Sequence, residues 1–191
     1  MTQPKLGIIV GSTRPCRLGG PIGHWMLDRA SRHGFFDSGL IDLAEVNLPF
    51  LDEPNHPRMR HYTQPHTFQW SARIDELESF IFVTPEYNHG FPAPLKNALD
   101  FLHQEWLYKP AGIVSYGGLS GGTRAAQMLK PVLTALKMMP MFESVAVTNA
   151  RAIVDPNRGV AATPAMNEAA DRMLNELERW VHATAELRSR V

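Results

Sequence analysis

The chain alternates between short, unbroken apolar runs and longer stretches with helical periodicity, and that alternation restricts its fold more than any other feature. Leu6-Gly7-Ile8-Ile9-Val10 and Phe80-Ile81-Phe82-Val83 contain no polar residue. Such runs suit strands buried on both faces rather than strands with one wet side. Five strands follow the rhythm, at about Lys5–Val10, Gly39–Glu45, Phe80–Thr84, Ala111–Ser115 and Phe142–Thr148. Helices are predicted over about Pro21–His33, with Ile22, Trp25, Met26 and Ala30 on one stripe, and over about Ala93–His103. Another opens at Gly121-Gly122-Thr123 and carries Ala125, Met128, Leu129, Val132 and Leu133, with Pro131 inside it. The last helix has Thr163 to cap it, Pro164 in its first position and an apolar stripe from Met166 to Val181.

Strand–helix alternation of this kind predicts a parallel sheet with helices on both faces. Five strands suit the flavodoxin-like order 2-1-3-4-5, in which ligands bind beyond the carboxyl ends of the strands at the switch point between strands one and three. The expected architecture is therefore α/β, with residues 1–191 forming a single domain. Lysine plus arginine balances aspartate plus glutamate, 19 against 19, which argues against nucleic acid as a partner. The lone Cys16 excludes an intrachain disulfide or a cysteine-based metal cluster. His56, His61 and His66 lie scattered in an irregular stretch without cysteine company, so no metal is expected. No apolar stretch has the length of a membrane span, and Met1–Lys5 runs into the first strand without a signal-peptide layout. A cytoplasmic protein is expected, without a membrane partner. The segment Asn47–His66, with Pro49, Pro54, Pro57 and Pro65, breaks the rhythm. It reads as an ordered excursion over the strand edge that can reach a partner subunit.

Two loops carry chemistry. After strand one, Gly11-Ser12-Thr13-Arg14-Pro15-Cys16-Arg17-Leu18-Gly19-Gly20 offers two hydroxyls, two guanidinium forks, free backbone N–H groups and the positive end of the following helix. That set matches a phosphate monoester, and the glycines, Gly20 among them, permit close backbone approach. Taken alone, a Gly/Ser/Arg loop is more often a solvated turn; its place between a strand and a helix favours phosphate. Neither Gly-x-Gly-x-x-Gly nor Gly-x-x-x-x-Gly-Lys-Ser/Thr occurs, which disfavours a dinucleotide fingerprint and a P-loop. A phosphatase loop of the low-molecular-weight type would need arginine six residues after Cys16, where Ile22 stands. After strand three, Pro85-Glu86-Tyr87-Asn88-His89-Gly90-Phe91-Pro92 supplies planar side chains and polar edges for a flat heterocycle, stiffened by prolines. Ser115-Tyr116-Gly117-Gly118, after strand four, lines the far side of the same crevice. A phosphate site beside a flat-ring site points to a mononucleotide, FMN above all.

Gly-Ser-Thr-Arg-Pro-x-Arg, Asn47–Pro54, the long Pro-Glu-Tyr-Asn-x-Gly-x-Pro-x-x-Leu-Lys-Asn-x-Leu-Asp motif and Val114–Thr123 together resemble the NADPH-dependent FMN reductase family. The resemblance implies tightly bound FMN held at its phosphate by Ser12, Arg14 and Arg17. It implies a ring bordered by Pro85, Glu86, Tyr87, Asn88 and His89 and closed by Ser115, Tyr116, Gly117 and Gly118. It also implies a homodimer or a dimer of dimers. The reading is an oxidoreductase that passes hydride from NADPH or NADH to FMN and on to a small-molecule acceptor by a ping-pong mechanism. Free flavin, a quinone, an azo compound, a metal oxyanion and oxygen all remain open as that acceptor. The hard chemistry belongs to the cofactor, so no side chain is named catalytic. The alternative is a flavodoxin-like electron carrier with no turnover of its own; zero net charge disfavours it, since such carriers are usually strongly acidic.

Overall fold

The structure, a computed structural model, describes residues 3–155 and 157–190. Its elements run β1 (Lys5–Val10), α1 (Gly19–His33), β2 (Asp37–Asp42), α2 (Leu43–Val46), α3 (Pro65–Asp75), β3 (Ser79–Pro85), α4 (Ala93–Asp100), β4 (Pro110–Tyr116), α5 (Thr123–Ala135), β5 (Met139–Val147), α6 (Ala150–Ile153), β6 (Val154–Asp155), β7 (Gly159–Val160), α7 (Pro164–Ala183) and α8 (Ala185–Arg188). The first five strands to pair form one sheet in the order β2-β1-β3-β4-β5, all neighbours parallel. Val10 stands opposite Val83, Pro85 opposite Tyr116 and Tyr116 opposite Val147, so the carboxyl ends of four strands finish near one level. The Gly11 N–H donates to the Val83 carbonyl at 2.9 Å and extends the β1–β3 pairing into the loop.

The sheet separates two apolar clusters. On one face Leu6, Ile8, Ile81, Val83, Val114 and Val145 pack against α1 and α7. On the other, Ile9, Phe80, Phe82 and Ile113 pack against α3, α4 and α5. The longest helix, α7, begins where Thr163 accepts from the Met166 N–H at 3.2 Å, and it buries Met173, Leu174 and Leu177 completely. Burial of each such side chain contributes roughly 1.5–3 kcal/mol.

Boundaries differ from the sequence-based ones where side chains redirect the backbone. β2 stops at Asp42 rather than continuing to Glu45, because the Asp42 carboxylate accepts from the Ala44 N–H at 2.9 Å and starts α2. α4 stops at Asp100 rather than His103; beyond it the Trp106 indole N–H donates to the Leu99 carbonyl at 3.1 Å, and a single 3-10 turn covers Gln104–Trp106. Helix α3 and the β6–β7 hairpin were not anticipated at all. The excursion before α3 is ordered by side-chain bonds. Glu53 accepts from the backbone N–H groups of Thr63 and Gln64 at 2.8 and 2.9 Å, and Asn97 on α4 bonds both Pro49 and Leu51. Among the described residues no helix is long and apolar enough to cross a membrane.

Candidate functional site

The loops following β1, β3, β4 and β5 surround a cavity of about 910 Å³ at the carboxyl end of the sheet. Its walls include Arg14, Arg17, Pro85, Glu86, Tyr87, Tyr116, Gly117 and Gly118 of the residues picked from sequence. Ser12, Gly20, Asn88, His89 and Ser115 do not line it.

In the first loop the Ser12 side chain is fully buried, and its hydroxyl lies 2.6 Å from that of Tyr87. Ser12 thus ties the phosphate-type loop to the ring-type loop. The two arginines diverge. Arg17 pairs with Asp42 at the end of β2, and its Nε is buried without a partner. Arg14 is exposed, and among the described residues its guanidinium has no ion-pair or hydrogen-bond partner. Gly19 is the demanding glycine: a Cβ there would lie 2.8 Å from the Tyr116 hydroxyl and 3.0 Å from Val10, whereas one at Gly20 would meet open space. This lets the start of α1, with its unpaired N–H groups and positive dipole end, pack directly against the cavity.

The second loop closes a two-residue turn. The Tyr87 N–H donates to the Gly90 carbonyl at 2.8 Å and the Gly90 N–H returns to Tyr87 at 3.0 Å, with Asn88 and His89 at φ 50° and 70°. Both central residues of such a turn need positive φ. Asn88 and His89 therefore sit exposed at the tip, and Tyr87 at the base faces the cavity. Glu86 also lines the cavity, yet its carboxylate is spoken for by α5. It accepts from the Arg124 backbone N–H at 3.1 Å and from the Arg124 Nε at 2.6 Å. Burial alone would raise its pKa, but these bonds and the guanidinium charge hold it below the ordinary carboxylate range.

The third loop is held in a similar way. The buried Ser115 hydroxyl donates to the Gly121 carbonyl at 2.8 Å, folding the loop back on β4. Gly122, at φ 79°, lies against the Tyr116 backbone, where a Cβ would approach within 2.8 Å. This leaves Gly117 and Gly118 facing the cavity. Their carbonyls accept from the Ala150 and Asn149 N–H groups at 2.9 and 2.8 Å, so the segment Asn149–Ala152 forms a fourth wall. Sequence reasoning missed that wall because Asn-Ala-Arg-Ala carries no glycine or aromatic signal. Its position after a strand, the rule that located the other loops, was the available clue.

The donor set fits a flavin mononucleotide. Tyr116 is 5% exposed, and its hydroxyl makes no well-formed hydrogen bond within the protein, with the Ser12 hydroxyl and the Gly19 backbone as its near polar neighbours. Burial, with the Tyr87 hydroxyl nearby, pushes the phenol up, so it stays protonated and able to donate. A buried hydroxyl left unpaired costs stability unless a ligand satisfies it. The free Arg14 fork, the Arg17 Nε and the start of α1 answer a phosphate. Side-chain-free Gly117 and Gly118 beside Pro85 and Tyr87 answer a flat ring.

Three comparisons with known proteins bear on the chain as a whole. The model of the family described as NADPH-dependent FMN reductase matches residues 4–152. An NAD(P)H-dependent FMN reductase of Schizosaccharomyces pombe is 44% identical over 160 residues, 80% of each chain. An NADPH:quinone oxidoreductase of Arabidopsis thaliana is 44% identical over 124 residues, 56% of this chain and 63% of that one. Among solved structures, the flavoenzyme NAD(P)H:(acceptor) oxidoreductase FerB of Paracoccus denitrificans superposes with a TM-score of 0.71 over 96% of this chain and 98% of its own, at 18% identity.

Proposed function

Because the chain belongs to the NADPH-dependent FMN reductase family, we propose that it holds FMN in the cavity between the β1 and β3 loops and reduces a small-molecule acceptor at the expense of a nicotinamide nucleotide. The observation that carries this reading is the cavity's unsatisfied donor set, with Tyr116 at its centre. When bound, FMN supplies a centre that accepts a hydride and gives it up again.

The residues have distinct tasks. Arg14 and the N–H groups at the start of α1 hold the phosphate, and Arg17 supports that end from its pairing with Asp42. Ser12 fixes Tyr87 through the 2.6 Å hydroxyl contact, which sets the tilt of the ring-facing wall. Glu86 and Ser115 act on the scaffold, keeping the β3 and β4 loops in register through Arg124 and Gly121. Asn88 and His89, at the turn tip, border the approach to the ring. Gly117 and Gly118 let its polar edge come against backbone. Donor and acceptor share one opening, which favours a ping-pong scheme, and free flavin and quinones are the acceptors in keeping with the relatives' names.

The purified protein should be yellow, and NADPH added without oxygen should bleach its flavin absorbance within the mixing time of a turnover experiment. A flavin that stays oxidised would point to a carrier. Parallel double-reciprocal lines with NADPH and a quinone are expected, and intersecting lines would rule out the ping-pong scheme.

A further inference from the structure

The Asn149–Ala152 wall carries a cation that the flavin does not require. Four arginines stand at or beside the cavity. Arg17 is paired with Asp42 and Arg124 with Glu86. Arg14 and Arg151 are exposed, and among the described residues neither guanidinium has an acidic or hydrogen-bonding partner. The two belong to different ends of the cavity. Arg14 follows β1, while Arg151 lies on α6 after β5, and β3 and β4 intervene between those strands. Three inter-strand spacings separate their strand ends by about 14 Å, so Arg14, beside Ser12 and the start of α1, is the natural partner of the flavin phosphate.

The surroundings of Arg151 suit a second, longer ligand. Its helix is fixed to the third loop by the Asn149 and Ala150 N–H groups donating to Gly118 and Gly117. Asn149 and Ala152 also wall an adjoining hollow of about 480 Å³, lined by Val145, Thr148, Ile153, Thr163, Met166 and Ala169. Arg151 therefore lines the cavity suited to a flavin, on a short segment whose Asn149 and Ala152 also wall an apolar hollow with Thr148 and Thr163 among its residues. A dinucleotide donor has the same sequence of parts: a nicotinamide that must meet the flavin, phosphates, and an adenosine.

We propose that Arg151 binds a phosphate of the nicotinamide dinucleotide donor, with the adenosine in the hollow between β5 and the start of α7. This rests on the flavin reading above and adds a donor subsite to it. The phosphate is either the 2′-phosphate of NADPH or the pyrophosphate common to NADPH and NADH. A planar fork with no internal partner matches either one.

The test compares wild-type, Arg151→Ala and Arg14→Ala flavoproteins. FMN affinity is measured by fluorescence, and KM is measured for NADPH, for NADH and for 1-benzyl-1,4-dihydronicotinamide, which has no phosphate and no adenosine. In Arg151→Ala, KM for NADPH should rise by roughly tenfold or more beyond any change for the truncated donor, the effect of losing one hydrogen bond to a charged group. Titration of the flavin-bound protein with 2′,5′-ADP and 5′-ADP should show the same loss without turnover. A rise confined to NADPH and 2′,5′-ADP assigns the 2′-phosphate, and an equal rise for both dinucleotides and both probes assigns the pyrophosphate. The proposal is overturned if all three donors change in parallel, if none changes, or if Arg151→Ala loses FMN as Arg14→Ala does. Failure of the underlying flavin reading looks different: wild-type protein would bind no FMN or would not oxidise NADPH.

Discussion

Arg14 and Arg17 stand three residues apart in one loop and have different surroundings. Arg17 is held by Asp42, so its charge is largely answered within the protein, whereas the Arg14 fork is open to a ligand. Arg14→Ala should therefore weaken FMN binding by about 1.5–3 kcal/mol, the worth of a hydrogen bond to a charged group; unchanged flavin affinity in an equilibrium titration would remove Arg14 from the phosphate site. Tyr116 allows a test of opposite sign. Its hydroxyl is buried and unpartnered in the protein itself, so Tyr116→Phe should leave the flavin-free thermal midpoint unchanged or raise it. The same change should weaken FMN by about 0.5–1.5 kcal/mol. A large loss of flavin-free stability would mean that the hydroxyl serves the fold instead. The residue types of this loop were legible in the sequence, and the division of labour between the arginines was not. Arg17 finds its partner 25 residues away, at the end of another strand, and no local pattern carries that information. Asn88 and His89 were likewise picked for their chemistry, while their positive φ values make them the tip of a turn.

Of the elements that sequence reasoning missed, α3 shows how burial can hide periodicity. Its buried face is Thr67, Trp70, Ser71 and Ile74, only half of it apolar, so the hydrophobic repeat is diluted. The polar half is there for a reason. Ser71 donates to the fully buried Glu105 carboxylate at 2.6 Å, and Tyr62 donates to the same group at 2.8 Å. Pro65, read as the last proline of an irregular stretch, is the first residue of the helix. The excursion before it depends on Glu53 in turn. Burial alone would raise the Glu53 pKa, but bonds from Gln64 and Thr63, with the Thr67 hydroxyl nearby, outweigh it and hold the carboxyl below its ordinary value. A folded-state pKa below the unfolded one gives stability that is present above about pH 4.3, the unfolded glutamate value, and is lost as pH falls through the folded value. Glu53→Gln should thus lower the thermal midpoint near neutral pH, and the gap to wild type should close as the pH drops below about 4. A gap that stays constant down to acid pH would show that Glu53 contributes shape rather than charge.

For the whole molecule, the alternation of buried strands and amphipathic helices was sufficient to anticipate the strand order, because a parallel sheet buried on both faces leaves few ways to connect its strands. The same topology sets the β1 and β3 loops side by side, and the phosphate-type and ring-type chemistries meet there. The chain's relation to a second copy is a surface property, and surface residues follow no such periodic rule. Phe50, in the excursion, is 85% exposed, as Leu119 and Phe142 are at 89% elsewhere on the surface. It borders a groove of about 490 Å³ whose walls include Leu48, Pro94 and Ala98. A knob and a hollow on one patch are what an isologous two-fold contact requires, since each copy must supply both halves. Homodimer formation through this patch would place the excursion of one subunit near the β1 loop of the other, because Thr13 lines the same groove. Sedimentation velocity at micromolar concentration should show wild type as a dimer and Phe50→Asp as a monomer that still folds, since a charge on a solvent-facing ring position disturbs no core contact. A wild-type monomer, or a Phe50→Asp dimer of unchanged affinity, would move the interface elsewhere. If the Phe50→Asp monomer binds FMN normally but turns over slowly, the partner subunit helps to wall the acceptor's approach; equal turnover would leave each subunit a self-sufficient reductase.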